Sequence, residues 1–178
     1  LALQYVDEME SRVQHIVAVS HFTKKRIVER LGIRPEKITV VHNGVDSRFR
    51  QPSAAAIAEA REKLRIPFER YVLVVGSIEP RKNLGAMLRA WPSIVAAEPE
   101  LGLVIAGSRG GALVFAGAEL NEVPRNVHFT GYVPHELLPP LYAGALALVY
   151  PTLCEGFGLP PLEAMASGAP VITSMNSA

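Results

Sequence analysis

The sequence predicts an α/β fold built on a mostly parallel, doubly wound sheet. Short apolar runs alternate with helical patterns along the 178 residues, and the connections between them are short. Most of the runs are apolar without alternation, which is typical of strands covered on both faces. The predicted strands are residues 15–20, 37–44, 71–77, 101–108, 126–131, 145–151 and 170–174.

The segments between the predicted strands carry signals for four helices. Ser20 and Ser53 each precede a helical pattern as a candidate N-cap, and Gly32 follows the first pattern where a left-handed residue often ends a helix. Pro161 is predicted to begin the last helix, which places Glu163 in its first turn. The predicted helices span residues 20–32, 53–66, 83–99 and 161–168.

We expect a piece of one domain followed by most of a second. Residues 1–48 supply a βαβ piece and the candidate hinge, in the polar stretch that begins HNGVD. Residues 49–178 supply the other five strands. The first residues, LALQYVDEME, are typical of the middle of a helix, and the last, VITSMNSA, stop without a closing helix. We therefore expect a fragment of a longer chain, cut short at its C-terminus.

Composition and charge exclude several classes of function. The formal net charge is +1, so the sequence lacks the basic balance of nucleic-acid-binding proteins. No apolar run approaches the roughly 20 residues of a membrane-spanning helix. A single cysteine, Cys154, forms no internal disulfide and fits a reducing compartment. The run GSRGG lacks the G-x-G-x-x-G spacing of nicotinamide cofactor sites.

The octapeptide GSIEPRKN, residues 76–83, directly follows a predicted strand. In open parallel sheets, ligands bind beyond the carboxyl ends of the strands. Gly76 allows a turn with no Cβ in the way, and Arg81 and Lys82 then stand where the next helix begins. A guanidinium and an ammonium beside exposed backbone N–H groups suit a diphosphate. The alternative interpretation is a solvated turn with two surface cations.

The segment EGFGLPPLEA, residues 155–164, also follows a predicted strand. Two glycines let the chain pass close to a ligand, ahead of a helix whose positive end faces the same place. Taken singly, Glu155 fits an exposed loop acid and Glu163 an acid favoured by the helix dipole. Taken together, two carboxylates beside a phosphate-binding helix start could hold one sugar on each side of a diphosphate. That arrangement describes a nucleotide-sugar site.

These motifs resemble those of the retaining GT4 glycosyltransferases. Residues 155–163 match the E-x7-E motif of that family, GSIEPRKNL is similar to its phosphate-binding loop, and HNGVD is similar to the end of its N-terminal domain. The resemblance covers essentially the whole chain. It implies a GT-B fold of two Rossmann-like domains, in which the C-terminal domain holds most of the donor.

The resemblance also implies roles for individual residues. Glu155 would contact the transferred hexose and Glu163 the nucleotide ribose, while cations would stabilise the leaving diphosphate. The segment TGYV, residues 130–133, resembles the part that borders the base. The implied catalytic residues are Glu155, Arg81 and Lys82, and the implied substrate-binding residues are Gly76, Ser77, Tyr132, Val133, Gly156, Phe157, Gly158, Leu159 and Glu163.

The function that the resemblance implies is retaining transfer of a hexose from a nucleotide-sugar to a glycan or lipid-linked acceptor, in polysaccharide or glycolipid assembly. GDP-mannose is the first candidate donor and a UDP-hexose the second. Two alternatives are a GT-B sugar-nucleotide epimerase and a non-catalytic nucleotide-sugar-binding domain. Since much of the acceptor domain would be missing, the fragment alone is expected to be inactive.

No metal cofactor is expected. The two aspartates, Asp7 and Asp46, form no D-x-D pair, and the five histidines have no short metal-ligand spacing. The expected location is the cytoplasm. The cations at residues 24–26 leave peripheral contact with the inner face of the membrane open, although three cations on a helix more often form a solvated face. The sequence leaves the oligomeric state open.

Overall fold

The structure is a computed structural model and describes residues 13–77, 79–107 and 123–176. The chain divides into two compact units. The first contains the described residues up to Gly44, the segment Cys154–Gly158 and the chain from Met175, and the second contains Val45–Leu153 and Leu159–Ser174. The division predicted near residue 48 stays a prediction. The opening stretch and most of the GSRGG run lie outside the described residues.

The first unit is a βαβ piece, as predicted. Strand β1 (Ile16–Ala18) pairs in parallel with β2 (Ile38–Val40), and helix α1 (His21–Leu31) connects them ahead of a short 3-10 turn. The side chain of Ser20 caps α1 by accepting the N–H of Thr23, and Gly32 ends the helix at φ +66°. Both capping predictions are therefore confirmed.

The second unit contains a five-stranded parallel sheet within the described residues. Its strands are β3 (Arg70–Val75), β4 (Leu101–Ala106), β5 (Val127–Gly131), β6 (Ala147–Tyr150) and β7 (Val171–Thr173). Their order is β5-β4-β3-β6-β7, and every neighbouring pair is parallel. The chain runs outward from β3 in one direction and then resumes on its other side at β6. The topological switch point therefore lies between β3 and β6.

Helices cover both faces of this sheet, which confirms the doubly wound α/β prediction. The four described helices of this unit are α2 (Ala54–Lys63), α3 (Leu84–Ala97), α4 (Leu138–Ala143) and α5 (Leu159–Ala166). Helix α3 covers one face with Leu88, Trp91 and Val95, although Pro92 lies inside it. Helices α4 and α5 pack on the other face, where Tyr142 and Ala164 join the core.

Two details differ from the sequence predictions. Helix α4 was not predicted, because Pro139 and Pro140 resemble a loop. Both lie in its first turn, after Leu138, where a missing N–H removes no helical hydrogen bond. Helix α5 begins at Leu159 rather than at Pro161, so Glu163 lies beyond its first turn. The prediction of a first-turn acid is wrong, and the interaction with the helix dipole does not account for Glu163.

Gly102 provides a test of the packing against the start of β4. A Cβ at this position would lie 2.0 Å from Cδ2 and 2.1 Å from Cγ of the Phe68 ring. Gly102→Ala should therefore lower the free energy of unfolding by about 1–3 kcal/mol, the usual cost of overpacking. Chemical denaturation followed by the fluorescence of Trp91, the sole tryptophan and fully buried, measures the change.

Gly44→Ala is the matched control, since a Cβ there meets no heavy atom within 4 Å. Equal stability of the two variants would contradict the tight contact between Gly102 and Phe68.

Candidate functional site

At the carboxyl edge of the sheet, glycines stand at the ends of three neighbouring strands, so the backbone there carries no side chains. Gly76 follows β3 with φ +140°, Gly107 follows β4, and Gly131 ends β5 with φ +74°. A Cβ on Gly107 would lie 2.0 Å from the carbonyl oxygen of Gly76, so only glycine fits this approach. The N–H of Gly76 bonds Ala106 O at 2.9 Å. This edge therefore leaves the backbone accessible where ligands bind in parallel sheets.

The loop after β3 is organised around Glu79. Its carboxylate accepts the hydroxyl of Ser77 at 2.5 Å and the Nε–H of Arg81 at 2.8 Å. These bonds, with the hydroxyl contribution largest, hold the pKa of the Glu79 carboxyl below its usual value. The N–H groups of Lys82 and Asn83 bond back to Glu79 O and Pro80 O within the turn, so neither is available to a ligand.

Lys82 is held by the end of β6. Its Nζ donates to the hydroxyl of Tyr150 at 2.6 Å and lies 4.8 Å from the ring centroid. Two further bonds join the same segments: Leu153 N–H donates to Arg81 O at 2.8 Å, and Asn83 Nδ2 donates to Pro151 O at 3.1 Å. The loop that carries the two cations is therefore fastened across the topological switch point.

Glu163 is held by a buried tyrosine on the neighbouring helix. The hydroxyl of Tyr142 donates to Glu163 Oε2 at 2.8 Å. Tyr142 is fully buried, and burial first, followed by the charge of Glu163, raises the pKa of its phenol. Glu163 itself is half-buried on α5. Its carboxylate therefore has a fixed position rather than a solvated one.

The segment Cys154–Gly158 belongs to the first unit, whereas Lys82 and Glu163 belong to the second. The carbonyl oxygen of Gly156 accepts two hydroxyls, from Ser20 at 2.6 Å and from Thr23 at 2.9 Å. The ring of Phe157 lies 5.9 Å from that of His42. Two side chains of α1 and its cap thus fix the backbone beside the half-buried Glu155.

The remaining predicted residues differ in exposure. The side chain of Val133 is buried in the core, so only its backbone could reach a ligand. Tyr132 is 72% exposed. Leu159 is partly exposed as the first residue of α5, and Gly158 precedes it at φ +95°. Within the second unit, Gly76 and Lys82 are close: a Cβ on Gly76 would lie 3.5 Å from Lys82 Cε.

Sequence reasoning missed three residues that hold the predicted ones. They are Glu79, Tyr142 and Tyr150, each bonded to a predicted ligand-binding side chain. Glu79 could have been predicted, because an acid two residues before Arg81 in the same loop can form an ion pair with its guanidinium group. The two tyrosines left no local signal, since both read as ordinary apolar core positions.

No group of three or more His, Cys, Asp or Glu side chains in the described segments could hold a metal ion. Among the helices that the structure describes, none is both long and apolar enough to cross a membrane.

Comparisons with known proteins agree with this architecture. The family model described as Glycosyl transferases group 1 matches residues 56–177, and the model described as Glycosyltransferase Family 4 matches residues 2–49. The chain is 33% identical over 162 residues to O-antigen chain mannosyltransferase B of Escherichia coli, covering 89% of this chain and 42% of that protein. It is 32% identical over 164 residues to O-antigen chain mannosyltransferase RfbU of Salmonella typhimurium, covering 92% of this chain and 42% of that protein.

A solved structure shares the fold. The complex of Alr3699/HepE from Anabaena with UDP-glucose superposes with a TM-score of 0.82 at 20% identity, over 98% of this chain and 49% of that one. The GT-B fold class implied by the resemblance is thereby confirmed. The chain spans less than half the length of each of these three proteins.

The buried phenols predict a loss of stability at alkaline pH. Burial raises the pKa of Tyr71 and of Tyr142 above the usual value of 10.0, so between that pH and the folded-state pKa only the unfolded chain releases these protons. The free energy of unfolding should therefore be unaffected below about pH 10 and fall above it, by about 1.4 kcal/mol per pH unit for each phenol. Denaturation at pH 9 to 11 measures the slope.

Tyr142→Phe should reduce that slope by about 1.4 kcal/mol per pH unit. The same slope in Tyr142→Phe as in the unchanged chain would contradict the buried neutral phenol.

Proposed function

The chain belongs to the glycosyl transferases group 1 family, and on this premise we propose that the protein transfers a hexose from a nucleotide-sugar to a glycan or lipid-linked acceptor. One observation carries the proposal. In the second unit, buried tyrosines hold a cation, Lys82, and a carboxylate, Glu163, each in a defined position. The sheet of the same unit has its switch point between β3 and β6. Ligands of doubly wound sheets bind at the switch point.

The cations supply the electrostatic part of the proposed reaction. When the bond between the hexose C1 and the diphosphate breaks, negative charge grows on the leaving nucleotide. Lys82 and Arg81, on the loop after β3, are suited to stabilise that charge, and the N-terminal end of α5 adds a partial positive charge. A helix end and two cations make a metal ion unnecessary for this role.

The carboxylates supply the proposed sugar contacts. Carboxylate oxygens accept hydrogen bonds from hydroxyl groups, and we assign Glu163 to the nucleotide ribose and Glu155 to the transferred hexose. The proposed transfer retains configuration: the acceptor oxygen bonds to C1 on the face that the diphosphate leaves, and the donor phosphate takes the acceptor proton. Backbone of Gly76, Ser77 and Leu159, all in the second unit, would line the same ligand.

The donor is proposed from the relatives. Two of them are named as mannosyltransferases, which supports mannose as the transferred sugar and GDP-mannose as the first candidate. The structurally similar Anabaena protein was solved with UDP-glucose, which supports a UDP-hexose as the second. The names of the two relatives also support assembly of an O-antigen type of polysaccharide as the setting.

Removing the charge of Lys82 should weaken nucleotide binding. A hydrogen bond to a charged group contributes about 1.5–3 kcal/mol, so Lys82→Met should lower the affinity for GDP or UDP by roughly tenfold to a hundredfold. Isothermal titration calorimetry of the chain with both diphosphates measures this change and identifies the preferred base.

Lys63→Met is the matched control, because Lys63 lies exposed on α2 and pairs with Glu59 at 2.6 Å. If the chain binds neither GDP nor UDP, or if both variants bind as tightly as the unchanged chain, the assignment of the donor site is wrong. Release of a new nucleotide-sugar in a donor-only incubation of the protein would favour the epimerase instead.

A further inference from the structure

Tyr150 holds the ammonium group of Lys82 from inside the core. It is the last residue of β6, it is 3% exposed, and its hydroxyl lies 2.6 Å from Lys82 Nζ. Its backbone carbonyl accepts the hydroxyl of Thr173 on β7 at 3.1 Å, so the residue is fixed on both sides. A side chain with four rotatable bonds such as lysine has many conformers, and this contact selects one of them.

Tyr142 holds the carboxylate of Glu163 in a comparable way. It lies on α4, packs against Phe49 at a ring distance of 6.2 Å and is fully buried. Its hydroxyl donates to Glu163 Oε2 across 21 residues of sequence. The two tyrosines belong to one core cluster, so the cation and the acid rest on the same packed support.

Tyr71 shows that satisfying a buried hydroxyl does not require a charged partner. This third buried tyrosine donates to the backbone carbonyl of Leu141 at 2.8 Å. A phenylalanine at position 142 or 150 would keep the ring packing without burying a hydroxyl at all. Both hydroxyls instead meet a charged side chain of the proposed donor site. Because the phenol is neutral, it can orient a charged group without cancelling its charge.

We propose that Tyr150 and Tyr142 are positioning residues that act on different halves of the donor. Tyr150 acts through Lys82 on the diphosphate, and Tyr142 acts through Glu163 on the ribose hydroxyls. This inference rests on the proposed function, and it deepens that function by dividing the nucleotide recognition between two hydroxyl groups that contact no ligand themselves.

The test compares affinity ratios rather than single affinities, because a general loss of packing would lower all affinities together. The ratio of affinities for GDP and GMP, or for UDP and UMP if the uridine series binds, measures the contribution of the second phosphate. The ratio for the diphosphate and its 2′,3′-dideoxy analogue measures the contribution of the ribose hydroxyls. Both ratios come from calorimetric titration of the chain.

Tyr150→Phe should reduce the diphosphate-to-monophosphate ratio by about threefold to tenfold and leave the ribose ratio unchanged. Tyr142→Phe should do the reverse. Tyr71→Phe, which also removes a buried, bonded hydroxyl, should change neither ratio. In a double-mutant cycle, adding Tyr150→Phe to Lys82→Met should cause no further fall in the phosphate ratio, because the hydroxyl acts through the ammonium.

The other outcomes would contradict either the proposed function or this inference. If the unchanged chain binds no nucleoside diphosphate, the proposed function fails and this inference fails with it. If the unchanged chain binds and the ratios of Tyr150→Phe and Tyr142→Phe match its own, the inference fails while the proposed function stands. Equal shifts in Tyr71→Phe would indicate a general packing effect and would also overturn it.

A second variant covers the case in which the Tyr150→Phe protein does not fold. Lys82→Arg, at a half-buried position, keeps the positive charge but replaces the short contact between Nζ and the hydroxyl. It should lower the same phosphate ratio. An unchanged ratio would overturn the inference for Tyr150.

Discussion

The parallel pairing of β3 with β4 on one side and with β6 on the other decides where the polar groups of the second unit lie. Parallel strands end at the same edge of a sheet, so the loop after β3 and the chain after β6 leave the core side by side. Three bonds then join these segments, through Lys82, Asn83 and the carbonyl of Arg81. The arrangement of the candidate site is a consequence of strand order.

The same edge combines bare backbone with charged side chains that have fixed partners. Gly107 approaches Gly76 so closely that no Cβ fits between them, which keeps the base of the edge free of side chains. In the same unit, Arg81 is bonded to a carboxylate, whereas Lys82 and Glu163 are bonded to phenols. Charged groups with fixed partners are organised before any ligand arrives, and the proposed function depends on such preorganised charge to stabilise a leaving diphosphate.

Local sequence signals predicted most of the fold. The strands of the second unit were found because uninterrupted apolar runs mark strands covered on both faces, and Ser20 and Ser53 were recognised as N-caps for their hydroxyls. Helix α4 was missed, because consecutive prolines are rare in helices except at the start. The pairs Lys82–Tyr150 and Glu163–Tyr142 depend on how distant segments pack, so no local pattern reveals them.

The path of the chain also limits how the protein can be divided. Five residues, Cys154–Gly158, belong to the first unit although the residues on both sides of them belong to the second. No single cut of the polypeptide can therefore release either unit intact. A shortened chain beginning at Val45 would keep Gly156 but lose Ser20 and Thr23, the two hydroxyl donors to its carbonyl. Dissection of this protein into independent domains by limited proteolysis or gene truncation would alter the very loop that carries Glu155.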